Sequence, residues 1–115
     1  MQPMQITESC KNDVAIFKLE GRLDNQGSDI FREHLLERIG KGALKVIIDF
    51  SGTSYIASLG IRALFIPARE LAERRGKLVL CGLRPEVKSI FSIGGVLDLF
   101  PAYETVEEAL KKSRW

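Results

Sequence analysis

The chain holds one histidine, His34, and two cysteines, Cys10 and Cys81. These are three soft ligands where a structural zinc site needs four, so no metal is expected. No apolar run exceeds about six residues, against the ~20 of a membrane span, and the Met-Gln-Pro-Met start lacks the basic and apolar regions of a secretory signal. A cytoplasmic protein that avoids membranes is expected, with both thiols reduced and read as small buried hydrophobes. Charge of one sign is also scarce: 17 basic against 15 acidic side chains leave a net +2, too little to draw in nucleic acid. Neither Gly-x-Gly-x-x-Gly, nor a Gly-Lys-Ser/Thr phosphate loop, nor a Gly-x-Ser-x-Gly elbow occurs. Ser54 and Ser58 lack a base as well, because His34 falls on the polar side of a helical segment. The expectation is a protein without cofactor or catalytic activity.

What is present suits one compact domain: 115 residues, 45% of them hydrophobic, with an ordered core over about 5–110 and loose ends at Met1 to Gln5 and Lys111 to Trp115. Val14 to Leu19 predicts a strand, preceded by a weaker one over Gln5 to Ser9 and a Lys11-Asn12-Asp13 turn. Phe31, Leu35 and Ile39 recur at helical spacing over Ser28 to Ile39, with Gly40 and Gly42 as stops. Lys45 to Phe50 is a β-branched run of the kind that sits centrally in a sheet, buried on both faces. One helix is predicted over Leu59 to Arg75, with Ile61, Leu64, Phe65, Ala68, Leu71 and Ala72 inward and a kink at Pro67. Lys77 to Cys81 predicts a strand, and Pro85 opens a helix with Val87, Ile90 and Phe91 inward, ended by Gly94-Gly95. A short strand is expected near Leu99-Phe100. Thr105 to Glu108 spells a capping box, Glu108 reaching back, for a last helix with Val106, Ala109 and Leu110 inward. The order is ββαβαβα(β)α, an α/β fold with a four- to five-stranded mixed sheet partly covered by helices.

The segment Asp49-Phe50-Ser51-Gly52-Thr53-Ser54-Tyr55-Ile56-Ala57-Ser58-Leu59-Gly60-Ile61 resembles the signature of STAS domains, and within them of the bacterial anti-sigma factor antagonists. Gly21-Arg22-Leu23-Asp24, Gly76 to Cys81 ahead of Pro-Glu-Val-Lys, and Phe91 to Leu99 match in family order, so the resemblance covers nearly the whole chain. It implies a STAS fold and a partner-switching role, in which the domain binds an anti-sigma factor that is also a serine kinase and so frees a sigma factor. The kinase then phosphorylates a serine in an Asp-Ser-x-Gly motif, whose positions are occupied here by Ala57, Ser58, Leu59 and Gly60. Ser58 is thus the implied phosphoacceptor, and Ala57 stands where the commonest pattern is acidic. Arg62 stands where the best-known members carry a second glycine. The implied partner surface comprises Gly21, Asp24, Asn25, Ser54, Ile56, Ala57, Ser58, Leu59, Gly60, Ile61 and Arg62, on a monomer or weak dimer. The rival implication is a regulatory subunit of a transport or stressosome-like signalling assembly, since STAS domains serve there too.

Plainer readings stand beside these. A serine at a helix start ordinarily caps the first N–H groups, although the same place tolerates a phosphate. Asp24 reads as a turn or cap residue ahead of the first helix. Asp49, at a strand end, invites comparison with the phosphoacceptor of receiver domains, but two opening strands and no acidic pair after the first speak for a structural role. The charges from Glu70 to Arg75 and from Lys111 to Arg114 read as a solvated face and a tail.

Overall fold

The computed structural model describes residues 4–93, 95–113 and 115. Elements run β1 (Gln5–Lys11), β2 (Val14–Leu23), α1 (Asn25–Gly40), β3 (Lys45–Ile56), α2 (Ser58–Arg62), α3 (Phe65–Glu73), β4 (Lys77–Cys81), α4 (Pro85–Ile93), a 3₁₀ turn (Val96–Asp98), β5 (Ala102–Tyr103) and α5 (Val106–Lys112). The strands form one sheet in the order β1-β2-β3-β4-β5. β1 is antiparallel to β2, and every later pairing is parallel. The expected mixed sheet is therefore present, with β3 at its centre.

The hairpin closes through Asn12 and Asp13, both at positive φ (53° and 70°), the two-residue turn whose twist matches its strands. Each later connection steps the same way across the sheet, so right-handed crossovers place α1 to α4 on one face. There Phe31, Leu35, Ile39, Leu64, Leu71, Val87 and Phe91 pack on Phe17, Leu19, Ile48, Phe50 and Leu80. The rings of Phe50 and Phe91 meet edge to face, 5.7 Å between centroids. On the other face Val14, Ile16, Ile47, Val79 and Cys81 are covered by Val106, Ala109 and Leu110 of α5 and by Trp115.

Several expectations need correction. The helix over Leu59 to Arg75 is two helices, broken at Ala63-Leu64. Pro67 thereby falls in the first turn of α3, where its missing N–H deprives the helix of no bond and its ring avoids an intact preceding turn. The break rotates the apolar face, so Ala63 is buried while Phe65 and Ala72 are exposed. Ile90 is exposed too, Val87 and Phe91 filling the inner stripe of α4. Helix α1 starts three residues before the expected Ser28, because Asp24 provides the cap. The last strand lies at Ala102–Tyr103, since Val96–Asp98 is taken up in the 3₁₀ turn. Cys10 is exposed, being on edge strand β1, and only Cys81 is buried.

The chain ends are partly anchored. Met4 packs against the core, α5 runs through Lys112, and Trp115 packs on the second face because its ring is apolar. The expectations placed on Met1 to Pro3, Gly94 and Arg114 lie outside the described residues. Thr105 accepts the Glu108 N–H at 3.1 Å, but the Glu108 carboxylate lies 3.7 Å from Lys112 instead of reaching back. The Asp49 carboxylate accepts the Ser51 N–H at 2.9 Å, the kind of local bond a structural role needs. Burial, followed by the nearby Asp49, pushes the Cys81 thiol up to about 12.

Candidate functional site

Two segments meet at the C-terminal ends of β2 and β3. Pairing of these strands is regular from Ala15↔Val46 to Lys18↔Asp49 and then slips twice, between Lys18 and Glu20 and between Gly21 and Arg22. Each slip places one extra residue on β3, a bulge that bends the strand and re-aims its later residues. Gly21, at φ 108°, permits the turn on the β2 side. Within the bend Thr53 is fully buried, and its hydroxyl donates to the Leu19 carbonyl at 2.9 Å. Ser54 Oγ lies 3.5 Å from the Gly21 carbonyl oxygen. The Arg22 guanidinium sits over the Tyr55 ring, 4.2 Å from its centroid, holding two exposed side chains across the strands.

Beyond the sheet, the Ala57 N–H donates to the Leu23 carbonyl at 2.9 Å, joining the start of α2 to the end of β2. Asp24 caps α1 by accepting the Gly27 N–H at 2.8 Å, and the buried Ser28 hydroxyl donates to the Asp24 carbonyl at 2.6 Å. Helix α2 has the opposite character at its start. Its cap position is Ala57, in extended conformation at φ −86° and ψ 162°, with no side-chain cap bond. Ser58 is therefore inside the helix instead of capping it, which corrects the capping reading. Its exposed hydroxyl bonds to nothing among the described residues.

Of the expected partner surface, Asn25, Ser54, Ser58, Leu59 and Arg62 are exposed, and Gly21, Asp24, Ala57 and Ile61 are half-buried. Ile56 and Gly60 are buried, so they shape the site from beneath. A Cβ on Gly60 would meet Ile56 Cγ1 at 2.8 Å and the Leu23 side chain at 3.0 Å, a packing only glycine allows. A shallow cleft lined by Arg22, Asp24, Asn25, Gln26, Tyr55 and Ala57 runs between the two segments. The Arg22–Tyr55 stack, the buried Thr53 hydroxyl and both bulges escape sequence reasoning. All three depend on cross-strand register, which no local pattern encodes.

His34 pairs with Glu8 of β1 at 3.7 Å, about 14 Å along α1 from its first residue, so it serves neither serine as a base. No three His, Cys, Asp or Glu side chains gather to hold a metal among the described residues. No helix among them is long and apolar enough to cross a membrane. Chemically, the site offers an exposed hydroxyl in the first turn of α2, a helix that also carries Leu59 (46% exposed) and the Arg62 cation.

Comparison with known proteins gives the same architecture. The STAS domain family model matches residues 5–109. A Bordetella bronchiseptica protein named as anti-sigma factor antagonist BtrV is 31% identical over 106 residues, covering 92% of this chain and 91% of that one. Among solved structures, a Thermotoga maritima protein named as an anti-sigma factor antagonist superposes with a TM-score of 0.90 at 18% identity, covering 96% of this chain and 95% of that one. The Bacillus cell fate determinant SpoIIAA in its phosphorylated form superposes with a TM-score of 0.76 at 23% identity, covering 96% and 100%.

Proposed function

This chain belongs to the STAS domain family, and from that premise we propose that it is an anti-sigma factor antagonist, a binding protein whose partner is an anti-sigma factor of the serine-kinase type. Binding withdraws the inhibitor from its sigma factor. Phosphorylation of Ser58 by that kinase ends the complex and returns the inhibitor, in a cytoplasmic cycle run by a monomer or weak dimer. Support for the general role comes from the relatives' names and near end-to-end coverage. The observation that carries the choice of residue is the Ser58 hydroxyl, exposed in the first turn of α2 and free of hydrogen bonds among the described residues. Of the other residues of this surface, Asn25, Ser54, Leu59 and Arg62 are exposed, and Gly21, Asp24, Ala57 and Ile61 are half-buried. SpoIIAA, with which the chain shares its fold, has been solved in a phosphorylated form, which is compatible with such a switch.

The physical logic is electrostatic. A phosphoserine adds close to two negative charges at neutral pH, and an interface that had closed over a neutral hydroxyl must then desolvate and accommodate them. The test pairs binding with mass spectrometry, using the kinase-type anti-sigma factors of the source organism. Ser58→Ala should bind like the unmodified protein and resist labelling by kinase and ATP. Ser58→Asp should lose about tenfold in affinity, ~1.4 kcal/mol, with its circular dichroism unchanged. Equal binding by Ser58→Asp and the unmodified chain, or a phosphate found only elsewhere, removes Ser58 from the mechanism. Failure of every such factor to be retained, with a transport-complex subunit captured instead, overturns the antagonist reading.

A further inference from the structure

We infer that Arg62 is the intramolecular counter-ion of phosphorylated Ser58, a role that rests on Ser58 being the phosphoacceptor. Ser58 opens α2 and Arg62 closes it, four residues later. That spacing sets both side chains on one helical face, with Cβ atoms about 5–6 Å apart, and an anion N-terminal to a cation is the favourable order. Both residues are exposed, and no acidic side chain lies in the first turn of α2 to compete.

Arg62 is also available. Arg32, Arg38, Arg69 and Arg74 each have a carboxylate within 3.8 Å. Arg22 is stacked on Tyr55, and Arg84 donates to the Ser51 carbonyl at 3.0 Å. Arg62, in contrast, has no hydrogen-bond or ion-pair partner among the described residues.

A phosphate on Ser58 presents three acceptor oxygens, and the planar guanidinium fork takes two of them in parallel bonds. The pair leaves roughly one net negative charge at the loop instead of two and fixes the phosphate along α2. A partner, or a phosphatase, then meets a Ser58–Arg62 ion pair instead of a freely rotating dianion. Discrimination between the two forms of this chain depends on the shape of that pair as well as on charge.

The experiment installs phosphoserine directly at position 58 of the full chain and follows the phosphomonoester titration by ³¹P NMR. Arg62→Gln should raise the midpoint by about 0.2–0.4 of a pH unit at low salt, because the dianion loses its cation. The difference should shrink in 1 M salt, where screening is strong. Arg62→Lys should fall between the two, lacking the bidentate fork. Arg69→Gln, which removes an equal charge from α3, should leave the midpoint where it was. A midpoint unchanged to within about 0.1 unit in Arg62→Gln, or moved equally by Arg69→Gln, overturns the pairing. Because the phosphate is placed without a kinase, this outcome is separate from the labelling test: a kinase that ignores Ser58 defeats the phosphoacceptor reading, while the titration alone decides the contact.

Discussion

The carbonyl of Leu23 accepts the N–H of Ala57 at 2.9 Å, and this bond brings the loop carrying Ser58 against the start of α1. On one side of the junction Asp24 caps a helix with its side chain, and on the other Ala57 cannot. The contrast yields two opposite mutational expectations.

Asp24→Ala should lower stability by about 1 kcal/mol, because the Gly27 N–H loses its acceptor at 2.8 Å. Asp24→Asn keeps an acceptor oxygen and should lose far less. Thermal melting of both variants beside the affinity for the partner separates the two roles. A drop in affinity in Asp24→Asn without loss of stability would identify the carboxylate charge as a contact.

Ala57→Asp should raise stability by about 0.5–1 kcal/mol, read as a higher melting temperature, since the extended backbone at this position already suits a capping side chain. An unchanged or lower melting temperature would show that the first turn of α2 is already satisfied by solvent.

Gly60→Ala should cost about 1–3 kcal/mol, because its new methyl is driven into Ile56 and Leu23, both in the core. Denaturant unfolding measures this. The double variant with Leu23→Ala should lose less stability than the sum of the two single losses, because the truncated side chain makes room for the new methyl.

The two cysteines should differ in reactivity. A thiol reagent at pH 8 should modify Cys10 in the native protein, and Cys81 only after unfolding, since burial raises its thiol to about 12. The folded value lies above the ordinary 9.0, so the folded state keeps this proton longer than the unfolded chain does. The stability it contributes is full below pH ~9 and is lost as pH rises toward 12. Cys81→Ala should remove that part of the alkaline decline in a stability-against-pH series.

Much of the fold was readable because local chemistry and tertiary position agree. Val46 to Ile48 are apolar and β-branched, and they lie fully buried at the sheet centre. Asn12-Asp13 tolerate positive φ and form the hairpin turn. Thr105 caps α5 as its spacing to Glu108 suggests. The misread α2–α3 segment has a simple cause, in that a periodic pattern continued where the backbone did not. Ile61, Leu64, Ala68 and Leu71 keep helical spacing across the α2–α3 break, so the pattern conceals it. Gly27 and Ser28 look like loop residues, yet both are buried in the first turn of α1, which hides the true start at Asn25. At the site, the order Ala57-Ser58-Leu59-Gly60 was visible by resemblance. That Ser58 comes after the cap position, and that Gly60 packs on Ile56 and Leu23, depends on the tertiary path of the backbone and has no local signature.

Strand β3 has two neighbours along residues 46–49 but pairs only with β2 from Gly52 to Ile56. Its first half is thus sheet interior and its second half a sheet edge, with backbone groups that another chain's strand would find available. The two bulges break the even repeat such a strand would need, and the Arg84 side chain already occupies the Ser51 carbonyl where that edge begins. A substitution that straightened β3 would give this edge the even repeat that strand addition needs, and should lower solubility.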